Sequence, residues 1–289
     1  VTDITPWKKL EISLRDNRQA WYDFIESWCD DKHHFLREYG FPFRHITRDI
    51  EQVTKQIYFY CSKMHNSSYI TIYDYKGMRE VENPSNPMRK HIPDYQRANI
   101  NKVYFETDTS IHDVGGNLQE THDDILALYD YYGGKCRLYF TGGMGFHLFI
   151  DLTQHLSRTE LRQYALFICN GLKLKTLCHM SFGDYARITR IPYTVHNKTS
   201  CFMIPVTRDM TLKEIVNASK VFHEPKPIVR TKINIMDKVE VIMRDYELNR
   251  TKIAKIKAPT RHEGEVPCVV EKRGKTIRYA YEDIKRLSG

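Results

Sequence analysis

Cysteine is used sparingly and without pattern. The seven cysteines, at positions 29, 61, 136, 169, 178, 201 and 268, form no CxxC pair and no close Cys/His quartet, so neither a structural zinc nor a disulfide framework is expected. No run of 18 apolar residues occurs, which speaks against a transmembrane helix, and the opening Val1-Thr-Asp-Ile-Thr-Pro-Trp7 holds no apolar signal segment. Internal repeats and low-complexity tracts are also missing. At 41% apolar and 28% charged residues, the 289-residue chain is too apolar for disorder and too charged for a membrane protein. A reduced, cytoplasmic globular protein is the expectation. A first residue other than Met and an end at Leu287-Ser288-Gly289 read as a fragment of something longer.

The formal charge is +8, and it is unevenly placed. Residues 226 to 289 hold 16 basic and 9 acidic residues, a net of +7, which leaves +1 for residues 1 to 225. Pro225 and Pro227 mark the change and suggest a boundary between a near-neutral body (1–225) and a basic C-terminal module (226–289).

The body alternates helix and strand patterns. Trp21, Phe24, Ile25 and Trp28 make one apolar helical stripe over residues 17 to 28. Residues 68 to 75 (SYITIYDY) and 102 to 108 (KVYFETD) have the alternation and β-branched content of strands. Residues 121 to 132 predict a helix, and RLYFTGG followed by GFHLFIDL predicts two strands around a glycine-rich turn. Ser157-Arg-Thr-Glu160 and Thr211-Leu-Lys-Glu214 are capping boxes that open two more helices, the first ending near Gly171. The fold class is therefore mixed, α+β or α/β.

Three segments could carry chemistry. Glu106 and Asp108 lie two apart on a predicted strand, on one face and about 7 Å apart, where two carboxylates can share divalent cations; a solvated strand face is the alternative. Thr141-Gly-Gly-Met-Gly145 can bring its backbone close to phosphates, with His147 on the following strand as a donor; an ordinary hairpin is the alternative. Arg187, Arg190, His196 and Lys198 gather positive charge in twelve residues, as a triphosphate requires, unless they are simply a solvated basic loop.

Taken together, in this order, the three segments resemble the motifs of the archaeo-eukaryotic primase superfamily. The likeness spans roughly residues 35 to 206 and is strongest at RITRIPYTVHNKTS. Passing from motif to motif without a zinc knuckle is more similar to the primase-polymerases of archaeal plasmids and viruses than to cellular primase subunits. The resemblance implies a catalytic body with an RRM-like central sheet, followed by a small α-helical C-terminal domain. It implies Mg²⁺ or Mn²⁺ held by Glu106 and Asp108, with Thr141, Gly142, Gly143, Gly145 and His147 against the incoming nucleotide. Arg190, His196 and Lys198, with Arg187, would then hold the triphosphate. REYGF (37–41) resembles a segment upstream of the first motif and nominates Arg37 as a further phosphate contact. The family's third carboxylate, nine residues before the position of Arg187, is Cys178 here; Asp184, six residues later, is the candidate substitute.

The activity implied is DNA primase or DNA polymerase chemistry, transfer of an NTP or dNTP to a 3′-hydroxyl on a single-stranded DNA template with its primer. A polymerase that cannot start chains, a metal-dependent nuclease and a catalytically weak DNA-binding replication factor are the alternatives. In the tail, Met236, Val239, Met243 and Tyr246 have helical spacing, YEDIKRLS reads as a last helix, and VPCVVE faintly resembles helical-bundle domains of plasmid replicases. The tail's excess charge suggests template binding, with a solvated basic face as the alternative.

Overall fold

Capping and alternation set the elements, which a computed structural model of the chain describes for residues 8, 10–11, 18–27, 36–40, 44–59, 67–81, 91–109, 117–223, 232–233, 268–272 and 275–279. Helix α1 (Arg18–Ser27) is followed by strands β1 (Arg37–Tyr39) and β2 (His45–Thr47), helix α2 (Ile50–Tyr58), and short strands β3 (Tyr69–Thr71), β4 (Asp74–Tyr75), β5 (Met78–Glu80), β6 (His91–Pro93) and β7 (Ala98–Asn99). Then come β8 (Lys102–Asp108), α3 (Leu118–Tyr131), β9 (Arg137–Phe140), β10 (Gly145–Leu152) and α4 (Arg158–Leu172). β11 (Ile188–Arg190), β12 (Ile204–Pro205), α5 (Leu212–Ala218), β13 (Lys232–Ile233) and the pair β14 (Cys268–Lys272) and β15 (Lys275–Tyr279) complete the order.

Both capping boxes read from the sequence form: Ser157 and Glu160 exchange side-chain and backbone bonds at α4, and Thr211 and Glu214 do so at α5. A third box, Asn117 with Glu120, starts α3 a turn earlier than the apolar pattern from Thr121 predicts. α4 runs past Gly171 and ends where Lys173 takes a left-handed backbone at φ 55°. The strand expected over 68 to 75 breaks after Thr71. There the chain leaves its partners in one sheet, and Asp74 and Tyr75 pair with Asn99 and Ala98 instead.

Two sheets frame the molecule. In one, antiparallel strands run in the order β11-β3-β1-β2. In the other, β10 is central, flanked by β8 and β9, with β12 beyond β9. Residues 176 to 178 add to the outer edge of β8: Asp108 N–H donates to the Thr176 carbonyl at 3.1 Å and Cys178 N–H to the Glu106 carbonyl at 2.8 Å. From β8 through α3, β9, β10 and α4 to this segment the chain therefore follows a β-α-β-β-α-β path.

The strand period of two divides this second sheet into unlike faces. Phe105 contacts Tyr132 at 6.3 Å and Phe146 contacts His122 at 5.3 Å between ring centroids, so one face packs against α3 and α4. A 2.9 Å bond between the hydroxyls of Tyr132 and Tyr164 joins those two helices over it. The opposite face carries Tyr104, Glu106 and Asp108 of β8, with Phe149, His147 and Gly145 directly across on β10.

Two features of the tail differ from expectation. The sheet draws its last short strand from beyond residue 225, since β13 pairs in parallel with Asp151 and Leu152 and buries Ile233. The segment around VPCVVE is also strand, pairing antiparallel as β14 with β15, because Val269, Val270 and Ile277 are β-branched and favour that geometry. The helices expected over 236–248 and 281–288 lie outside the described residues.

The close approach of β8 and β10 requires glycine at 145. A Cβ there would sit 1.8 Å from the carbonyl oxygen of Thr107, and its nearest neighbours are backbone atoms that cannot step aside. Gly145→Ala is expected to cost about 3 kcal/mol, read as a lower urea midpoint. An unchanged midpoint would contradict this register.

Candidate functional site

The face of β8 and β10 turned away from the helices meets the end of β11 and the loop that follows it. Glu106 and His147 are direct cross-strand partners, which puts the imidazole Nε2 3.6 Å from Glu106 Oε1. From the other sheet, Thr189 brings its hydroxyl to 3.1 Å from His147 Nδ1, and Arg187 donates through its NH2 group to Glu106 Oε2. Arg190 donates to the Thr141 carbonyl at the start of the glycine turn and lies 5.7 Å from the centre of the Tyr69 ring. Tyr104 stacks edge-on to His147 at 5.3 Å, its hydroxyl buried beside Arg187.

The glycine turn and the loop after β11 are fastened together. Gly142 adopts φ 75°, and a Cβ there would come within 2.7 Å of the Cys201 carbonyl. Thr199 donates its hydroxyl to the Gly142 carbonyl, and Thr141 Oγ1 accepts from Gly143 N–H at 3.2 Å. His196 Nδ1 accepts from the amides of Lys198 at 3.2 Å and Thr199 at 3.3 Å, which places the ring proton on Nε2. That nitrogen faces Gly143, where a Cβ would stand only 3.1 Å from it. Lys198 is exposed on the same loop. The charge of Asp108 bears on His196, so the second carboxylate belongs to the same group.

Glu106, Asp108, Thr141, Gly142, Gly143, Gly145, His147, Arg187, Arg190, His196 and Lys198 thus come from three stretches of sequence to one cleft. Arg37 does not join them. It is fully buried behind β3, donating to the carbonyls of Thr71 at 2.5 Å and Ile72 at 3.0 Å and pairing with Asp74 at 3.6 Å. The phosphate contact expected of Arg37 is therefore replaced by a bracing role between strands, because no ligand reaches a side chain with no exposed surface. His147 is also turned inward, both ring nitrogens facing protein, so a phosphate contact from it would displace Thr189 or Glu106.

Cys178 lies beside Glu106 at the edge of β8. Burial and the nearby Glu106 charge push its thiol up, so it stays protonated and is a poor ligand for a hard cation. Asp184 instead folds back on its own loop and accepts from Ala186 N–H at 3.0 Å. Among the described residues no three His, Cys, Asp or Glu side chains are grouped to hold a metal ion. The donor set that does fit is Glu106 and Asp108, two hard carboxylates that need phosphate oxygens or water to complete a divalent cation's shell.

The sequence matches no known protein-family profile and no curated protein. Among solved structures, the chain is similar to the AEP domain of the primase-polymerase of cyanophage S-2L, at 10% identity and TM-score 0.46 over 78% of this chain and 98% of that one. It is also similar to the polymerase domain of Ligase D from Mycobacterium tuberculosis in complex with DNA, at 12% identity and TM-score 0.42 over 84% and 93%. At those values function has to be argued from the site.

Two guanidinium donors at this site lack acceptors. Arg187 Nε and Arg190 Nε are buried without a hydrogen-bond partner, and an orphaned donor of that kind costs free energy until an acceptor arrives. Burial, Arg190 and Lys198 lower His196 to about 4, so it is a neutral donor at physiological pH. Residues that pattern reading missed are Thr189 and Thr199. Thr189 shares a strand face with Arg187, two residues before it, and alternation alone could have found it. Thr199 lies within the RITRIPYTVHNKTS string, but its contact with the glycine turn crosses 57 residues and no local pattern discloses it.

Burial raises the Glu106 carboxyl, but His147 and Arg187 lower it further, and the balance settles at about 2 against an ordinary 4.5. Its stabilising contribution is therefore complete above pH 4.5 and lost as pH falls toward 2, roughly 3 kcal/mol in all. His196, lowered to about 4, acts in the same direction at higher pH: the unfolded chain takes up its proton first, so stability declines from pH 6.5 to 4. Urea unfolding between pH 7 and 3 should show both falls. Glu106→Gln should flatten the part below pH 4.5 and leave the upper part; an unchanged lower slope would refute the assignment.

Proposed function

We propose that this chain is a template-directed nucleotidyltransferase of the archaeo-eukaryotic primase superfamily, nearest in kind to the primase-polymerases of archaeal plasmids and viruses. On this reading it adds an NTP or dNTP to a primer 3′-hydroxyl on single-stranded DNA, within a body of residues 1–225 extended by β13. The observation that carries the reading is the meeting of paired carboxylates with two arginines whose Nε groups are buried without partners and a neutral histidine donor at one site. Such a set suits a triphosphate beside a divalent cation, whereas hydrolysis of a simple phosphoester needs no separate triphosphate-sized cluster.

Each residue has a task. His196 offers Nε2–H toward the glycine turn, where the absence of a side chain at Gly143 leaves room for a phosphate oxygen. Arg190 holds the turn through Thr141 and has Nε to spare, and Lys198 adds charge from the loop's exposed side. These cations stabilise the charge that grows on the β and γ phosphates as the α-phosphate bond breaks. Glu106 and Asp108 would hold Mg²⁺ or Mn²⁺, which when bound lowers the pKa of the attacking hydroxyl and neutralises the departing pyrophosphate. His147, held by Thr189, orients Glu106.

A second reading, a nucleotide- or DNA-binding replication factor without catalysis, is favoured by two observations, the thiol at position 178 and the arginine already paired with Glu106. Primer extension on a labelled template with Mg²⁺ or Mn²⁺ separates the two. Glu106→Ala with Asp108→Ala should abolish extension, by at least about a thousandfold, with the circular dichroism spectrum unchanged. Extension surviving the double change would remove the carboxylates from the mechanism, and a wild-type protein that binds template without extending it would establish the second reading. In the same assay His196→Ala should raise KM for nucleotide about tenfold, with a smaller effect on kcat.

The basic tail is proposed to bind template phosphates. Removing residues 234–289, which spares β13, should weaken binding to single-stranded DNA and reduce its salt dependence. Equal affinity and slope for the two proteins at 50 and 200 mM salt, typical conditions for such slopes, would reduce the tail to a solvated basic face.

A further inference from the structure

The two arginines of the cleft are held differently. Arg190 is 7% exposed, bonded to a backbone carbonyl and stacked near Tyr69, so its position is fixed by the fold. Arg187 is one quarter exposed along its side chain, has no partner at Nε, and at its far end donates to the Glu106 carboxylate, with the Tyr104 hydroxyl beside it. That carboxylate is also a ligand in the proposed metal site, and its other oxygen faces His147. A divalent cation at Glu106 Oε2 would compete with the guanidinium for that oxygen, since like charges at close range repel. Once displaced, Arg187 would have an aliphatic stem rooted just before β11 and five donors in search of an anion. Both guanidinium charges already bear on the His147 ring.

We infer that Arg187 is a stand-in cation that neutralises Glu106 when no divalent ion is bound and passes to the nucleotide's phosphates when one is. The exchange couples the two ligands: cation binding frees a phosphate donor, and a bound triphosphate rewards the freed arginine. Linkage makes the coupling reciprocal. It also gives Arg187 a positioning role that a fixed phosphate contact would lack, and it rests on the nucleotidyltransferase reading above.

Calorimetric binding of dATP in EDTA, with no template, tests this in the wild type, Glu106→Gln, Arg187→Met and the double variant; Met keeps much of the aliphatic stem and so protects the fold. Glu106→Gln releases Arg187 without metal and should tighten dATP about fivefold or more, and that gain should vanish in the Arg187→Met background. In parallel, paramagnetic resonance of Mn²⁺ without nucleotide should show Arg187→Met binding the ion about fivefold or more tightly than the wild type. Both results are required. A Glu106→Gln gain that persists without Arg187, or Mn²⁺ affinity unmoved by Arg187→Met, overturns the exchange while leaving the nucleotidyltransferase reading intact. Failure of all four proteins to bind dATP, with or without Mn²⁺, overturns that reading and the exchange with it.

Discussion

The antiparallel register of β8 on β10 is the constraint from which the site follows. Glu106 stands opposite His147 and Asp108 opposite Gly145, so acids and glycine turn share one end and one face of the sheet. Side chains alternate with a period of two, and a slip of one residue would turn Glu106 into the helical layer and Phe105 into the cleft. Gly145 guards against that slip, because only a residue without a side chain allows the two backbones to approach as they do at Thr107. Stability and function therefore depend on the same backbone contact.

A charged sheet face buried against a second sheet must be neutralised, and the molecule does this in successive layers. Asp151, opposite Lys102, accepts from Arg137 at 2.7 Å. Two strand positions along from Tyr104, Glu106 accepts from Arg187. Buried pairs of this kind add little net stability, but breaking one by removing a partner costs about 3–5 kcal/mol. They fix how the sheets face each other more than how tightly the chain folds. The difference between the layers is access: Asp151 is 2% exposed, whereas the Glu106 side chain is 12% exposed and opens on the glycine turn. The same kind of pair serves as a strut in one place and as a replaceable contact in the other.

Most of the elements in this half of the chain were legible. Strand alternation gave β8 and β10 to the residue, and two capping boxes marked α4 and α5, because those signals are local and carry their own period. The candidate cluster was legible for a different reason. Acids, glycines and bases each had an ordinary local explanation, and only the resemblance of the three segments, in their order, to primase-superfamily motifs pointed to one site. What stayed hidden depended on long-range contact. Arg37 looked like a functional arginine in its short segment, but β3 and Asp74 surround it, which no neighbouring residue discloses. The break at Thr71 was missed likewise, since it reflects partners remote in sequence; β14 and β15, by contrast, form a local hairpin whose β-branched residues were themselves the signal.

Cys178 shows how far the chemistry of this cleft depends on its ligand. Position 178, beside Glu106, holds a thiol that burial keeps protonated rather than a third acid. Two carboxylates alone leave most of a divalent ion's oxygen shell to water or phosphate. One of the two, Glu106, is already neutralised by Arg187, so a cation entering without an anionic companion would exchange one favourable pairing for another and leave a guanidinium stranded. On the proposed reading, a triphosphate would change that balance by accepting hydrogen bonds from the arginine, the orphaned Nε groups and the His196 ring together. In this cleft the nucleotide would not simply be delivered to a finished metal site; its phosphates would be part of what makes the site.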